Sequence, residues 1–220
     1  PRFQPMSKIT PFHIAVPDET LNWIRSRVAE YPWHEMPDDG GWAYGANLPY
    51  MQELCTYWLE EYDWRLHEAR LNEFSNFKTS IDGFDVHFIH EKSSVENATP
   101  LIITHGWPGS VVEFLDVVGP LAHPQRFGGS ESDAFHVVAP SLPGFGFSGR
   151  PPRPWGPRRI AQTFAELMGE RLGYEGYIAQ GGDWGATICN WLGYDHSANC
   201  KAIHINCLTM RHPKGAINKK

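Results

Sequence analysis

Residues 180–186 read QGGDWGA and lie between a short apolar run, GYIA (176–179), and a helix-like stretch, TICNWLGYD (187–195). A surface turn accounts for the glycines, and a helix N-cap accounts for Asp183. Neither accounts for glycine on both sides of the carboxylate at once. A strand that turns sharply into a helix does. Where the helix crosses close over the strand, side chains two residues before and after the turn residue clash, so Gly181 and Gly185 suit the geometry. The pattern small-x-nucleophile-x-small belongs to such a strained elbow, with the nucleophile at its tip. Serine is the commoner residue there, and this chain has Asp183.

The rest of the sequence supplies the strands and helices that such an elbow needs. FKTSIDGFDVHFIHE (77–91) alternates about the turn signal Asp82-Gly83 and predicts a β-hairpin. PLIITHGWPGS (100–110) is an apolar run with a Gly/Pro exit, and VVEFLDVVGPLAH (111–123) reads as a helix. AFHVVAPSLPGFGFSG (134–149) is a second buried strand with a glycine-rich exit. RRIAQTFAELMGERLG (158–173) predicts a helix with Ile160, Phe164, Leu167, Met168 and Leu172 on one stripe. CKAIHINCL (200–208) closes the series as a strand. A hairpin followed by alternating apolar strands and helices implies an α/β fold with a largely parallel sheet.

Residues 1–75 read differently. VPDETLNWIRSRVAEY (16–31) places Leu21, Ile24 and Val28 at helical spacing behind Asp18, a candidate cap. PYMQELCTYWLEEYDW (49–64) opens with Pro49 at the first helical position and sets Met51, Leu54 and Trp58 on one face. Between them lies a loop rich in Pro, Gly and Trp. Its Trp33, Trp42 and Tyr44 are expected to be packing residues. Two amphipathic helices make a thin core, so this segment is expected to pack on the α/β body.

Composition removes several function classes. The net charge of −6 and the absence of a basic patch argue against nucleic acid. No apolar run approaches the ~20 residues of a membrane span, and the N-terminus PRFQPMSKITPFH lacks a signal-like apolar core. The expectation is a soluble, cytoplasmic protein. Cys55, Cys189, Cys200 and Cys207 lack metal or redox spacing, so mostly buried, reduced thiols are expected. No metal or cofactor is expected. His87 and His90 read as ordinary strand residues, and His105 as a brace of its loop; a role for His105 as base is the alternative.

In an α/β sheet, ligands bind beyond the carboxyl ends of the parallel strands. HGWPGS, SLPGFGFS and GGDWG are expected together on that edge. A carboxylate with an unperturbed pKa of about 3.9 is ionised at neutral pH without a helper base. It suits attack on an sp³ carbon that bears a leaving group or belongs to a strained ring, and the product is an ester on the enzyme. When water attacks that ester, the oxyanion forms on the carboxyl group of Asp183. Backbone N–H groups of Trp107 and Trp184 are placed to stabilise it. The same two residues, with Pro108, are the candidate substrate-contacting walls.

Five segments in order, EEYDWRLHEARLNEFSNFKT, HGWPGSVVEFL, SLPGFGFSG, GGDWGA and LTMRHP, make the chain resemble the microsomal-type epoxide hydrolases of the α/β-hydrolase superfamily. The resemblance implies an α/β-hydrolase fold with an N-terminal meander (1–76) packed on the front part of the core (77–220). It implies Asp183 as the alkylated nucleophile, Trp107 and Trp184 as oxyanion donors, and a small epoxide as substrate. In this fold the acid and the histidine follow the nucleophile. Beyond Asp195 the sequence has no Asp or Glu, and its later histidines are His196, His204 and His212. The expectation is therefore that the C-terminal strands, the lid with its tyrosines, the acid and the base belong to a C-terminal half, and that residues 1–220 alone are inactive. A haloalkane dehalogenase is the rival enzyme and a non-catalytic binding module the rival of another class.

Overall fold

Asp82 and Gly83 both take positive φ, 54° and 85°, the combination that a two-residue turn needs to match the twist of its flanking strands. They join β2 (Asn76–Ile81) to β3 (Phe84–Glu91), as the sequence predicts, with Ile81 opposite Phe84 at the turn. The computed structural model describes residues 8–35 and 41–208, so the LTMRHP segment lies outside the described residues from Thr209 onward. Contacts divide the chain into two units, one of Ile14–Asn72 and one of the residues before and after it.

The second unit is a sheet flanked by helices. Its strands are β1 (Thr10–Pro11), β2, β3, β4 (Thr99–Thr104), β5 (Phe135–Pro140), β6 (Tyr177–Gly181) and β7 (Cys200–Ile205). They lie in the order β1-β2-β3-β5-β4-β6-β7. β5, β4, β6 and β7 run parallel, while β1, β2 and β3 pair antiparallel and β3 joins β5 antiparallel. The parallel character is thus confined to the half that carries the elbow. Strand β1, which the sequence reading missed, is too short to show an alternation.

Its helices are α4 (Leu115–Ala122), α5 (Pro157–Glu166) and α6 (Trp184–Asp195). The predicted stripe on α5 is real: Phe164, Leu167 and Met168 are fully enclosed. Leu167–Arg171, however, continues α5 as a π-helical turn rather than as α-helix. Val111–Phe114, ahead of α4, is 3₁₀, capped by Ser110 and Glu113 reciprocally. Phe88, Ile102, Val138, Ile188 and Leu192 join the α5 residues in one core cluster. Burying each such side chain contributes roughly 1.5–3 kcal/mol.

His87 is more than a strand residue. It is fully buried, its Nε2 donates to Asn76 Oδ1 at 2.9 Å and its Nδ1 lies 2.9 Å from Ser141 Oγ. Burial and then the Lys78 charge push its pKa down to about 3, so it is a neutral strut between β2 and the loop after β5.

The helical unit holds α1 (Asp18–Ala29), α2 (Leu48–Glu60) and α3 (Trp64–Leu71). Here four sequence expectations need correction. Asp18 is not a cap but the first helical residue after Pro17, and its carboxylate pairs with Arg65 at 2.5 Å. Pro49 is the second helical residue, because Asn47 caps α2 by accepting from the Tyr50 N–H at 2.9 Å. The inward stripe of α2 is Met51, Cys55 and Leu59, whereas Leu54 and Trp58 are exposed. Leu21, Ile24 and Val28 of α1 do share a half-buried face. Trp33, Trp42 and Tyr44 are not core residues: all three are exposed, with Trp33 against Tyr31 and Trp42 against Tyr50. Among the described residues no helix is long and apolar enough to cross a membrane.

Candidate active site

Strand β6 ends at Gly181 and α6 begins at Trp184, so the chain reverses within two residues. Asp183 takes φ 50° and ψ −123°, a conformation that costs a non-glycine residue of order 1–3 kcal/mol. The two flanking glycines have the predicted reason. A Cβ on Gly185 would stand 2.0 Å from the Thr104 carbonyl oxygen of β4, and one on Gly181 would stand 2.4 Å from the Gly185 backbone. The helix presses on two strands at once, and only glycine fits between.

Asp183 makes no side-chain cap to α6. Its Oδ1 instead accepts from the Trp107 N–H at 2.9 Å, across 76 residues of sequence. The backbone N–H groups of Trp107 and then Trp184 hold its carboxyl below the ordinary carboxylate range. Gly106 allows this approach, since a Cβ there would meet Asp183 Oδ1 at 2.5 Å. The Trp107–Pro108 peptide is cis. The exits of β4, β5 and β6 therefore do meet at one edge, and Asp183, Trp107, Pro108 and Trp184 are brought together there.

His105 fastens two of these exits to each other. It is buried; its Nδ1 donates to Gly106 O at 2.9 Å and its Nε2 accepts from the Leu142 N–H at 3.1 Å. With both ring nitrogens engaged by backbone, and its pKa lowered chiefly by burial, it is a neutral brace and not a free base. The loop after β5 is tied down further. Ser148 Oγ donates to Ser141 O at 2.8 Å, and the Gly149 N–H donates to Asp85 O at 2.7 Å.

Two cavities open at this edge, one of them lined by the carboxylate. One of about 500 Å³ includes Asp183, Pro108 and polar groups from Glu113, Gln180 and Asn206, with Cys207 at its rim. The other, of about 430 Å³, is bounded by carbon-rich side chains between Trp107 and Trp184. The sequence reading named Trp107, Pro108, Asp183 and Trp184 among these lining residues and missed Glu113, Gln180, Asn206, Leu142, Phe145, Trp155 and Ile160 as walls. Glu113 could have been found through its Ser-x-x-Glu capping pattern; Ile160 was legible only as part of the α5 stripe, and nothing marked Trp155 beforehand. The thiols divide differently from expectation: Cys189 and Cys200 are buried, Cys55 is half-buried and Cys207 is exposed. No group of His, Cys, Asp and Glu suited to a metal ion occurs among the described residues.

The chain as a whole is similar to known proteins in sequence and in fold. Residues 9–114 match the family model described as epoxide hydrolase N terminus, and residues 99–219 match that of the alpha/beta hydrolase fold. Epoxide hydrolase 1 of Sus scrofa is 36% identical over 203 residues, 90% of this chain and 44% of the relative. The structure of Aspergillus niger epoxide hydrolase superposes with a TM-score of 0.83 at 37% identity, covering 96% of this chain and 56% of that one. Juvenile hormone epoxide hydrolase from the silkworm Bombyx mori gives 0.85 at 32%, covering 94% and 49%. The chain spans about half the length of the relatives it matches. It belongs to the epoxide hydrolase family of the α/β-hydrolase superfamily.

Proposed function

We propose that this chain is the nucleophile-bearing N-terminal part of an epoxide hydrolase that opens small epoxides to vicinal diols through an ester on Asp183. One observation carries the reading: a strained, ionised Asp183 with Oδ1 held by the Trp107 N–H at 2.9 Å. The second carboxylate oxygen attacks a ring carbon, the new C–O bond forms, and the ring C–O bond breaks to an alkoxide that takes a proton. Oδ1 is now the ester carbonyl oxygen. Water, giving up a proton to a base, adds to the ester carbon, and negative charge develops on Oδ1. The hydrogen bonds from Trp107 and Trp184 strengthen as that charge grows, which favours the transition state over the ester. Collapse breaks the bond to the alkyl oxygen, which takes the proton back from the base, so the diol is released and one solvent oxygen stays on Asp183.

The proton donor and the base are assigned to the rest of the protein's length, as is cover for β7. That strand is the last of the described sheet, and Lys201, Ala202, Ile203 and His204 on it are exposed. Between epoxide opening and halide displacement, the match of residues 9–114 to the epoxide hydrolase N terminus favours the former.

Hydrolysis of styrene oxide by three proteins tests the reading: the full-length enzyme, its Asp183→Asn variant, and residues 1–220 alone. Asp183→Asn should lower kcat by about 10³-fold or more while the melting temperature holds. Residues 1–220 should be slower by roughly 10²–10⁴-fold per step for want of positioned acid and base groups. Steady turnover by Asp183→Asn at the native rate contradicts the assignment of the nucleophile. Steady turnover by residues 1–220 contradicts the division of labour.

A further inference from the structure

Gly181 and Gly185 are accounted for by the helix pressing on two strands, but Gly182, between Gly181 and Asp183, is not. In the small-x-nucleophile-x-small pattern the residue before the nucleophile is free to carry a side chain. The backbone at Gly182 is not left-handed, so no conformational need calls for glycine there either. Asn206 supplies the reason. A Cβ on Gly182 would stand 2.4 Å from Asn206 Oδ1, and the three atoms nearest to it all belong to the Asn206 amide. That amide thus lies over the backbone next to Asp183, in space that any other residue at 182 would fill. Asn206 follows directly on β7, one step past the pairing of Gly181 with Ile205.

Asn206 also lines the cavity of about 500 Å³ that Asp183 lines. Of the other amide and carboxylate groups around it, Glu113 is engaged, its Oε1 accepting from the Ser110 N–H at 3.1 Å in the cap. Gln180 lies three residues back from Asp183 along β6. The Asn206 amide stands level with the elbow, and no hydrogen bond engages it among the described residues. An amide offers an acceptor oxygen and two N–H donors, and its oxygen takes no proton at neutral pH.

Hydrolysis of an ester on Asp183 has a use for such an oxygen. The attacking water must turn a lone pair to the ester carbon and one O–H to the base, so its second O–H needs an acceptor. A carboxylate in that role would compete with the base for the proton, whereas an amide oxygen does not. We propose that Asn206 is a further catalytic residue: its Oδ1 accepts a hydrogen bond from the hydrolytic water and turns that water toward the ester on Asp183. The proposal rests on the reading of Asp183 as the alkylated nucleophile. The water oxygen bonds to the ester carbon, its first proton passes to the base, and its second stays on that oxygen, held by Asn206. The alkyl oxygen leaves with the proton returned by the base. Asp183 is then a carboxylic acid and loses the second proton to solvent. Ring opening uses no water, so Asn206 acts in the second step and not in the first.

The test follows single turnovers of styrene oxide by the full-length enzyme and its Asn206→Ala, Gly182→Ala and doubly substituted variants, quenched over time and read from the mass of the Asp183 peptide. Asn206→Ala should form the ester within twofold of the native rate and hydrolyse it about tenfold more slowly, the worth of one neutral hydrogen bond. The esterified peptide then accumulates. Gly182→Ala should show the same signature, because its methyl group displaces the end of a side chain and not the backbone. The double variant should hydrolyse the ester no more slowly than Gly182→Ala alone, the coupling expected of one shared interaction. Ester hydrolysis within twofold of native in a stably folded Asn206→Ala overturns the role of Asn206 and leaves the ester reading intact. Ester formation slowed as much as hydrolysis also overturns it, since a merely structural contact would disturb both steps. Solvent oxygen in the first-turnover diol of the native enzyme, with no esterified peptide, contradicts the ester reading and the proposal with it. Should Asn206→Ala fail to fold, ester hydrolysis at the native rate in Gly182→Ala overturns the role by itself.

Discussion

In the α/β unit Phe88, Phe164 and Met168 are wholly enclosed, whereas neither α1 nor α2 of the helical unit encloses a single residue. Trp23, Trp42, Tyr44 and Leu66 of that unit are each more than half exposed. Beyond Ile14, Leu71 and the half-buried faces of α1 and α2, the two ends of the helical unit are tied by polar contacts. Asn72 accepts from the Ile14 N–H at 2.9 Å and donates to Ile14 O at 2.8 Å. Glu68 accepts from the Val16 N–H at 2.7 Å and from Trp64 Nε1 at 3.1 Å, and Arg65 bridges Glu68, Asp18 and the Val16 carbonyl. The α/β unit encloses its apolar side chains and holds Asp183 in its strained conformation. The helical unit closes its ends with a few hydrogen bonds and leaves its aromatic surface open.

That difference can be broken at one atom on each side. Gly185→Ala should have the larger effect. Its new Cβ meets a backbone carbonyl of β4 at 2.0 Å, which no side-chain rotation relieves. Overpacking of this kind costs about 3 kcal/mol, toward the upper end of the usual range or beyond it. A lowered urea midpoint together with lost activity is the expected result. An unchanged midpoint would mean that α6 and β4 can separate freely, against the strain argument.

Glu68→Ala should cost less, about 1–2 kcal/mol, by leaving the Val16 and Trp64 N–H groups without their acceptor. Burial acts to raise the Glu68 pKa, but the bonds from Val16, Arg65 and Trp64 outweigh it and hold the carboxyl below its ordinary range. Because the folded value is depressed, this stability is present above the unfolded pKa and is lost as pH falls through the folded one. Faster hydrogen exchange confined to residues 14–72 is the signature to measure. Exchange accelerated equally in the sheet would erase the distinction between the units.

The two units also differ in how far their sequences disclosed them. The hairpin was legible because Asp82-Gly83 is a local signal for a local structure. The elbow was legible for another reason: Gly181, Asp183 and Gly185 carry a tertiary clash, helix on strand, at fixed short spacing. In α2 both i+3 and i+4 neighbours of Met51 are apolar, so Leu54 and Cys55 competed for the inward face, and only packing decides for Cys55. Asp18 has the right type for a cap, but Pro17 already occupies that position, and the carboxylate's partner, Arg65, lies 47 residues away. Trp33 and Tyr44 were read as packing from their apolar bulk alone, which does not specify a partner. The His87 strut and the walls of the apolar cavity rest on pairings such as His87 with Ser141 and Trp155 with Phe84, more than 50 residues apart in sequence. No local pattern announces them.

The chemistry assigned to Asp183 is most directly tested by a single turnover of the full-length enzyme in ¹⁸O-water with enzyme in excess over styrene oxide. Ester formation on Asp183 predicts a first-turnover diol whose added oxygen is ¹⁶O, taken from the carboxylate, and ¹⁸O in the peptide that contains Asp183. A first-turnover diol carrying ¹⁸O, with the Asp183 peptide unlabelled, would mean that water attacks the epoxide directly and that Asp183 is not the nucleophile.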